Sequence, residues 1–229
     1  MRVSSVLIGA CGALAFMGCA MLQSPAQSVI TRVDIGKSII GTPPAEFDFR
    51  ITGEGELGQW AVVDDPTAVM GRAIEHVSID QHEDRFPLAV YQPLSLENVR
   101  LTVRFKIISG TMLTAGMAVG VRDHGNYYSV GASALEQRVD LSLFQNGHVK
   151  RLESVDADIV RGRWYVLGLI VNDDHFAVSL DGKLLFTAFD RSRGKDGHVA
   201  LWTREDNVTR FDQIEICSLA TADHGSACR

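Results

Sequence analysis

The sequence predicts an all-β chain folded as a two-sheet antiparallel β-sandwich. Three observations predict it: runs of alternating apolar and polar residues, hairpin-forming dipeptides between those runs, and no sustained period of 3.6. Residues 46–51 (EFDFRI) open the alternation. Residues 99–107 carry it furthest, with Val99, Leu101, Val103, Phe105 and Ile107 on one face and Arg100, Thr102, Arg104 and Lys106 on the other. A strand buried on one side only reads this way, because successive side chains point to opposite faces. Residues 138–144 repeat the pattern with Val139, Leu141 and Leu143 inward, whereas residues 164–171 are almost continuously apolar and suit the middle of a sheet. Asn146-Gly147 and Asp181-Gly182 each separate two such runs and favour the positive-φ turns of two-residue hairpins. The nearest approach to a helical pattern, residues 132–138, is too short to hold a helix. Strands recurring every 8–12 residues or so, joined by short turns, give a sandwich rather than alternating strand–helix units.

Composition narrows the function. The 229 residues are 46% hydrophobic, and 22 Lys+Arg stand against 28 Asp+Glu for a net charge of −6. So apolar a chain can bury a core and is not intrinsically disordered. An acidic chain with no basic run is a poor partner for nucleic acid. No apolar run reaches the roughly 20 residues of a spanning helix, so a multi-span membrane protein is excluded. The chain divides into a signal peptide (1–20), a linker containing Ser, Thr, Pro and Gly (21–44), one β-sandwich domain (45–217) and a C-terminal tail (218–229).

Residues 1–20 read as an export signal: Arg2 is their only charge, residues 6–17 are apolar and small, and Gly18-Cys19-Ala20 supplies small residues for cleavage. Two processing routes stay open. Cys19 after Gly18 is a candidate lipidation site, although Phe16 and Met17 depart from the usual residues there. The other route is ordinary cleavage after Ala20 or Ala26. The expected address is periplasmic, outer-membrane-anchored or secreted, with membrane contact only through a lipid anchor. Of the four cysteines, Cys217 and Cys228 lie outside the signal and are disulfide candidates in an oxidising compartment, the alternative being two unpaired thiols. Two Cys and His224 make an incomplete zinc set.

The run of segments at 58–65 (GQWAVVDD), 103–106 (VRFK), 115–123 (AGMAVGVRD), 126–128 (NYY), 162–167 (GRWYVL), 178–183 (VSLDGK), 197–202 (GHVALW) and 211–214 (FDQI) resembles the concanavalin-A-like lectin/glucanase superfamily. In particular it is similar to exported bacterial LamG-like domains grouped with 3-keto-disaccharide hydrolases. The resemblance implies a jelly roll that binds an oligo- or polysaccharide on its concave sheet, with glycoside hydrolysis there in some members. It also raises a calcium ion held by oxygen ligands, which no EF-hand-like spacing supports here. Relatives often continue the Asn-Tyr-Tyr run with Arg and Asn at the outward positions where this chain has Gly131 and Ser133.

The local motifs of catalysis are missing. A retaining glycosidase needs two carboxylates about 5–5.5 Å apart on one groove. Glu46-Phe-Asp48 begins the usual pattern, but Ile51 stands at its third acidic position. Asp64-Asp65, Asp173-Asp174 and Glu205-Asp206 are adjacent pairs, which diverge on a strand. There is no Gly-x-Ser-x-Gly, no His-Glu-x-x-His and no phosphate loop. Residues 80–84 (DQHED) read as a solvated loop rather than a metal site.

Alternation does nominate a binding face. With Met117, Val119 and Val121 inward, Ala118, Gly120 and Arg122 point outward; with Tyr128, Val130, Ala132 and Ala134 inward, Tyr127, Ser129, Gly131 and Ser133 do. The neighbouring strands present Arg138, Asp140, Ser142 and Phe144, and then His198, Trp202 and Arg204. Sugars are held by an aromatic ring against the pyranose face and by planar charged or amide groups on the hydroxyls. Arg122, Tyr127, Arg138, Asp140 and Trp202 are therefore the candidate ligand-binding residues, the alternative being core aromatics and surface ion pairs. Trp60 and Trp164, each heading an apolar run, are expected in the core. The expected protein is an exported, non-catalytic saccharide-binding sandwich. A sugar-processing enzyme on the same face and a structural envelope domain are the alternatives.

Overall fold

The alternating run at 99–107 forms strand β6 (Val99–Ser109), and all five of its apolar residues are buried. A computed structural model describes residues 29–192, 194 and 196–219; the expected signal peptide, Cys19 and Cys228 lie outside the described residues. Two antiparallel sheets, with no helix among the described residues, make the predicted sandwich.

In the eight-stranded sheet, β6 lies between β11 (Trp164–Asn172) and β15 (Val208–Ser218). Beyond β11 come β12 (His175–Leu180) and β13 (Lys183–Phe189); beyond β15 come β4 (Arg72–Val77) and β3 (Gln59–Asp64), with β1 (Ile30–Arg32) also on β15. The seven-stranded sheet runs β10 (His148–Asp156), β9 (Arg138–Gln145), β8 (Asn126–Ser133), β7 (Thr114–Asp123), β14 (Gly197–Thr203), β5 (Phe86–Leu96) and β2 (Phe47–Thr52). Leu101, Phe105, Leu167 and Phe211 of the first sheet meet Met117, Val130, Leu141 and Leu201 of the second in one apolar layer. Both expected hairpin turns form, with φ of 52° and 80° at Asn146-Gly147 and 49° and 78° at Asp181-Gly182.

Three expectations are corrected. Residues 29–44 are not a linker: Ile30–Arg32 pair with Cys217–Glu215, and Ile35 is buried in the core. The extended β15 leaves an edge there that only another strand can satisfy. Trp164 is not in the core. It stands on the outer face of its sheet, its Nε1–H donating to Thr67 Oγ1 at 2.9 Å and its ring beneath Arg104 and Lys106. The apolar run at 164–171 likewise buries only its alternate members, Tyr165, Leu167, Leu169 and Val171, in the core.

What covers that outer face is a loop, residues 65–71, fastened by charge. Asp65, almost wholly buried, accepts from Lys106 Nζ at 2.5 Å and Arg210 Nη1 at 3.0 Å. Burial works against the Asp65 carboxylate, but hydrogen bonds from Lys106, Thr67 and Arg210 hold its pKa well below the usual range.

Candidate cleft on the seven-stranded sheet

Strand register builds the site. One row across the sheet aligns Ser154, Asp140, Gly131, Gly116, Trp202 and Leu88. The next row out carries Arg138 beside Ser133 and Thr114; on the other side Arg151, Ser142 and Ser129 align, then Val149, Phe144 and Tyr127. All of these point away from the main core, since their sequence neighbours Tyr128, Val130, Val139 and Leu141 fill it. Gly131 makes room for the indole, since a Cβ there would lie 2.9 Å from Trp202 Cζ3, whereas a Cβ on Gly116 would run into the Val130 backbone.

The result is a cleft of about 270 Å³. Its floor is small and hydroxyl-rich, with Thr114, Ser129, Ser133 and Ser142 around Gly131. Aromatic residues wall it: Phe86 stacks on Trp202 with centroids 5.7 Å apart and meets Phe144 edge-on at 4.9 Å. Charged residues rim it. Asp140 Oδ2 lies 2.9 Å from Arg138 Nε and 3.3 Å from Arg151 Nε, while Asp140 Oδ1 accepts from Ser154 Oγ at 2.6 Å. Arg138 also pairs with Glu136 at 2.7 Å, and Arg204 with Glu205 at 3.1 Å.

The structure places Asp140 and Trp202 on this cleft and Arg138 at its edge, bonded to two lining acids. Tyr127 lies behind it. Its ring stacks on Phe144 at 4.3 Å, its hydroxyl is 2.8 Å from Thr52 Oγ1, and burial pushes its pKa up. With Tyr127 only 1% and Trp202 5% exposed, neither ring presents an open face. They join Phe86, Leu88, Val90 and Phe144 in a second apolar cluster on the outer side of the sheet.

Arg122 is turned away. A β-bulge at Gly120, whose φ is +62°, shifts the register of β7, so that Val121 joins Ala118 in the outer cluster. The expected inward Val121 is thereby corrected, and Arg122 faces the opposite side, exposed beside Gly194. Sequence reasoning missed Arg151, Glu136 and Phe86. Arg151 sits on β10, an edge strand whose exposure is nearly uniform and whose bulge between Arg151 and Glu153 blurs its alternation.

In the acidic loop at 80–84, Asp80 is already engaged by its neighbours. The Glu56 backbone N–H donates to Asp80 at 2.7 Å, His82 contacts it and Arg85 lies 3.6 Å away, so cations and donors already occupy its oxygens. The Glu56 N–H first, then His82, hold the Asp80 pKa well below the usual carboxylate range. Cys217 is buried with Leu219 beside Ile170.

Fold and cleft together define a jelly roll of the concanavalin-A-like class with a polar cleft across one sheet. Among solved structures, the chain is similar to the carbohydrate binding module CBM66 from Bacillus subtilis, at 18% identity and a TM-score of 0.59 over 73% of this chain and 94% of that one. It is similar to a galectin-like-fold protein of unknown function from Bacillus subtilis, at 10% identity and a TM-score of 0.52 over 76% of this chain and 91% of that one. It is also similar to the Bacillus licheniformis β-glucanase, at 8% identity and a TM-score of 0.52 over 85% of this chain and 99% of that one. No family model matches the chain. No curated protein matches it either. At these identities the likeness concerns the fold, which hosts many functions.

Proposed function

We propose that the protein is an exported, non-catalytic saccharide-binding β-sandwich, akin to LamG-like domains, whose site is the cleft on the outer face of the seven-stranded sheet. One observation carries the reading: register gathers an aromatic wall, a floor of four hydroxyl side chains and an arginine–carboxylate rim around one cavity. That is the chemistry of sugar recognition, apolar edges against C–H faces and planar groups in reach of ring hydroxyls. The similarity to a carbohydrate binding module and a β-glucanase supports it. Support for the non-catalytic part comes from two of the carboxylates lining the cleft, Asp140, whose oxygens are taken up by Arg138, Arg151 and Ser154, and Glu136, which is paired with Arg138. A carboxylate so held is a positioned acceptor rather than a proton donor. Export follows from residues 1–20, and the same reading pairs Cys217 with Cys228 outside the cytoplasm.

A glycan array probed with the secreted chain tests the proposal. Binding that is lost in Arg151→Ala, with no release of reducing ends by the parent, supports it. Turnover abolished by Asp140→Asn would establish a sugar-processing enzyme instead. A negative array would leave the structural envelope domain as the better reading.

A further inference from the structure

A second surface lies on the other sheet, apart from the cleft proposed to hold saccharide. Beside β15 a cleft of about 420 Å³ opens between residues 32–35 and residues 69–72, lined chiefly by Val33, Ile35, Val69, Met70 and Ile214. Around it stand the large aliphatics Ile39, Ile40, Val69 and Met70, exposed by 73%, 44%, 55% and 67%. They form one patch. Arg72 Nη1 donates to Gly36 O at 2.8 Å and Ser38 O at 2.7 Å, tying the 36–40 turn to the 65–71 loop, and Met70 Cε approaches Gly36.

The patch is held outward rather than left loose. The Val69 N–H donates to Asp212 Oδ2 at 2.8 Å, and Arg104 Nη1 reaches the same oxygen at 2.6 Å. Asp65 anchors the start of the loop to Lys106 and Arg210. Four aliphatic side chains fixed in water by a buried ionic frame mark an interaction surface. Two observations say what covers it. The described chain begins at Val29, three residues before Arg32, which with Val33 lines the cleft. Cys19, the candidate lipidation site, precedes Val29 by ten residues, a span of at most about 35 Å even when fully extended. An acyl chain at Cys19 would keep this face within reach of a bilayer.

We propose that the patch formed by Ile39, Ile40, Val69 and Met70 is a membrane-contact face, which seats its aliphatic side chains in the interfacial layer of a bilayer and leaves the saccharide cleft facing away. Shallow insertion of this kind scales with the apolar area buried and adds to a single acyl chain, whose binding alone is marginal.

Met70 is its own probe. The full chain is treated with hydrogen peroxide with and without vesicles of phosphatidylethanolamine and phosphatidylglycerol, and sulfoxide formation at Met70 and Met112 is followed by peptide mass spectrometry. On vesicles Met70 is expected to oxidise several-fold more slowly while Met112, on the 110–113 loop away from the patch, is unchanged. The double variant Val69→Ser/Met70→Ser should retain the parent unfolding midpoint and saccharide binding, yet bind vesicles roughly tenfold more weakly. Vesicle-bound protein with Met70 fully reactive would overturn the proposal, because the N-terminal segment alone would then make the contact. So would absence of vesicle binding, or Met70 protection that grows with protein concentration in lipid-free buffer, which would make the patch a contact between two copies. Each result is independent of whether the glycan array succeeds.

Discussion

Lowering the pH from 7 to 5 should destabilise this fold by roughly 2 kcal/mol through His76 alone. His76, on β4, is fully buried, tilted against Trp60 with ring centroids 4.8 Å apart, and its Nδ1 lies 2.9 Å from Asn207 O. Its Nε2 has no well-formed hydrogen bond among the described residues and, with the guanidinium of buried Arg85, crowds Gly58, where a Cβ would lie 2.4 Å from Nε2 and 2.9 Å from Arg85 Nη2. Burial first, and the Arg85 charge second, lower the pKa from 6.5 to about 4. The unfolded chain therefore binds a proton between these values that the native state refuses, so stability is complete above pH 6.5 and falls toward pH 4. The gap corresponds to about 3.4 kcal/mol in full, of which some 2 kcal/mol is expressed by pH 5. Urea unfolding followed by tryptophan fluorescence at intervals from pH 7 to 5 measures it, with His76→Gln as the reference. His82, exposed and with its pKa raised by Asp80, contributes in the opposite sense to both proteins and cancels in the comparison. The variant should be less stable at pH 7 but lose less on acidification. Equal pH slopes in the two proteins would refute the argument.

Three further outcomes follow from packing and backbone. Lys106→Met leaves the buried Asp65 carboxylate with Arg210 and Thr67 only, and should cost about 3 kcal/mol in urea denaturation, most of it recovered in Lys106→Met/Asp65→Leu. Gly131→Leu drives a side chain into Trp202 and the cleft floor; it should lower stability by about 1–3 kcal/mol and abolish saccharide binding on the array. Gly147→Ala meets no atom within 4 Å but must hold φ near 80°, so thermal denaturation should show a loss of roughly 1 kcal/mol with binding retained.

Most of the architecture was legible because it rests on local rules. Period-two alternation marked β6 and β9, and the two Asn/Asp-Gly turns marked their hairpins, since each property belongs to a few consecutive residues. The outward set Tyr127, Ser129, Gly131, Ser133, Asp140, Ser142 and Phe144 was read correctly for the same reason. Where the reading failed, a non-local event intervened. A bulge at Gly120 inverted Arg122, and an incoming loop carrying Asp65 and Thr67 made the outer faces of β6 and β11 a home for Lys106 and Trp164.

Outside the β7 bulge, facing direction along each strand, and so the partition of side chains between core and exterior, was settled by the amino-acid order. The depth of each side chain was settled by tertiary packing. Tyr127 and Trp202 point outward as alternation requires, yet Phe86 and Phe144 arrive from other strands and close over them. Burial depends on which strands become neighbours, and chain order carries no local record of that. The same neighbours bring Arg151 to Asp140 and so decide that Asp140 stands in this cleft as a paired carboxylate rather than a free one.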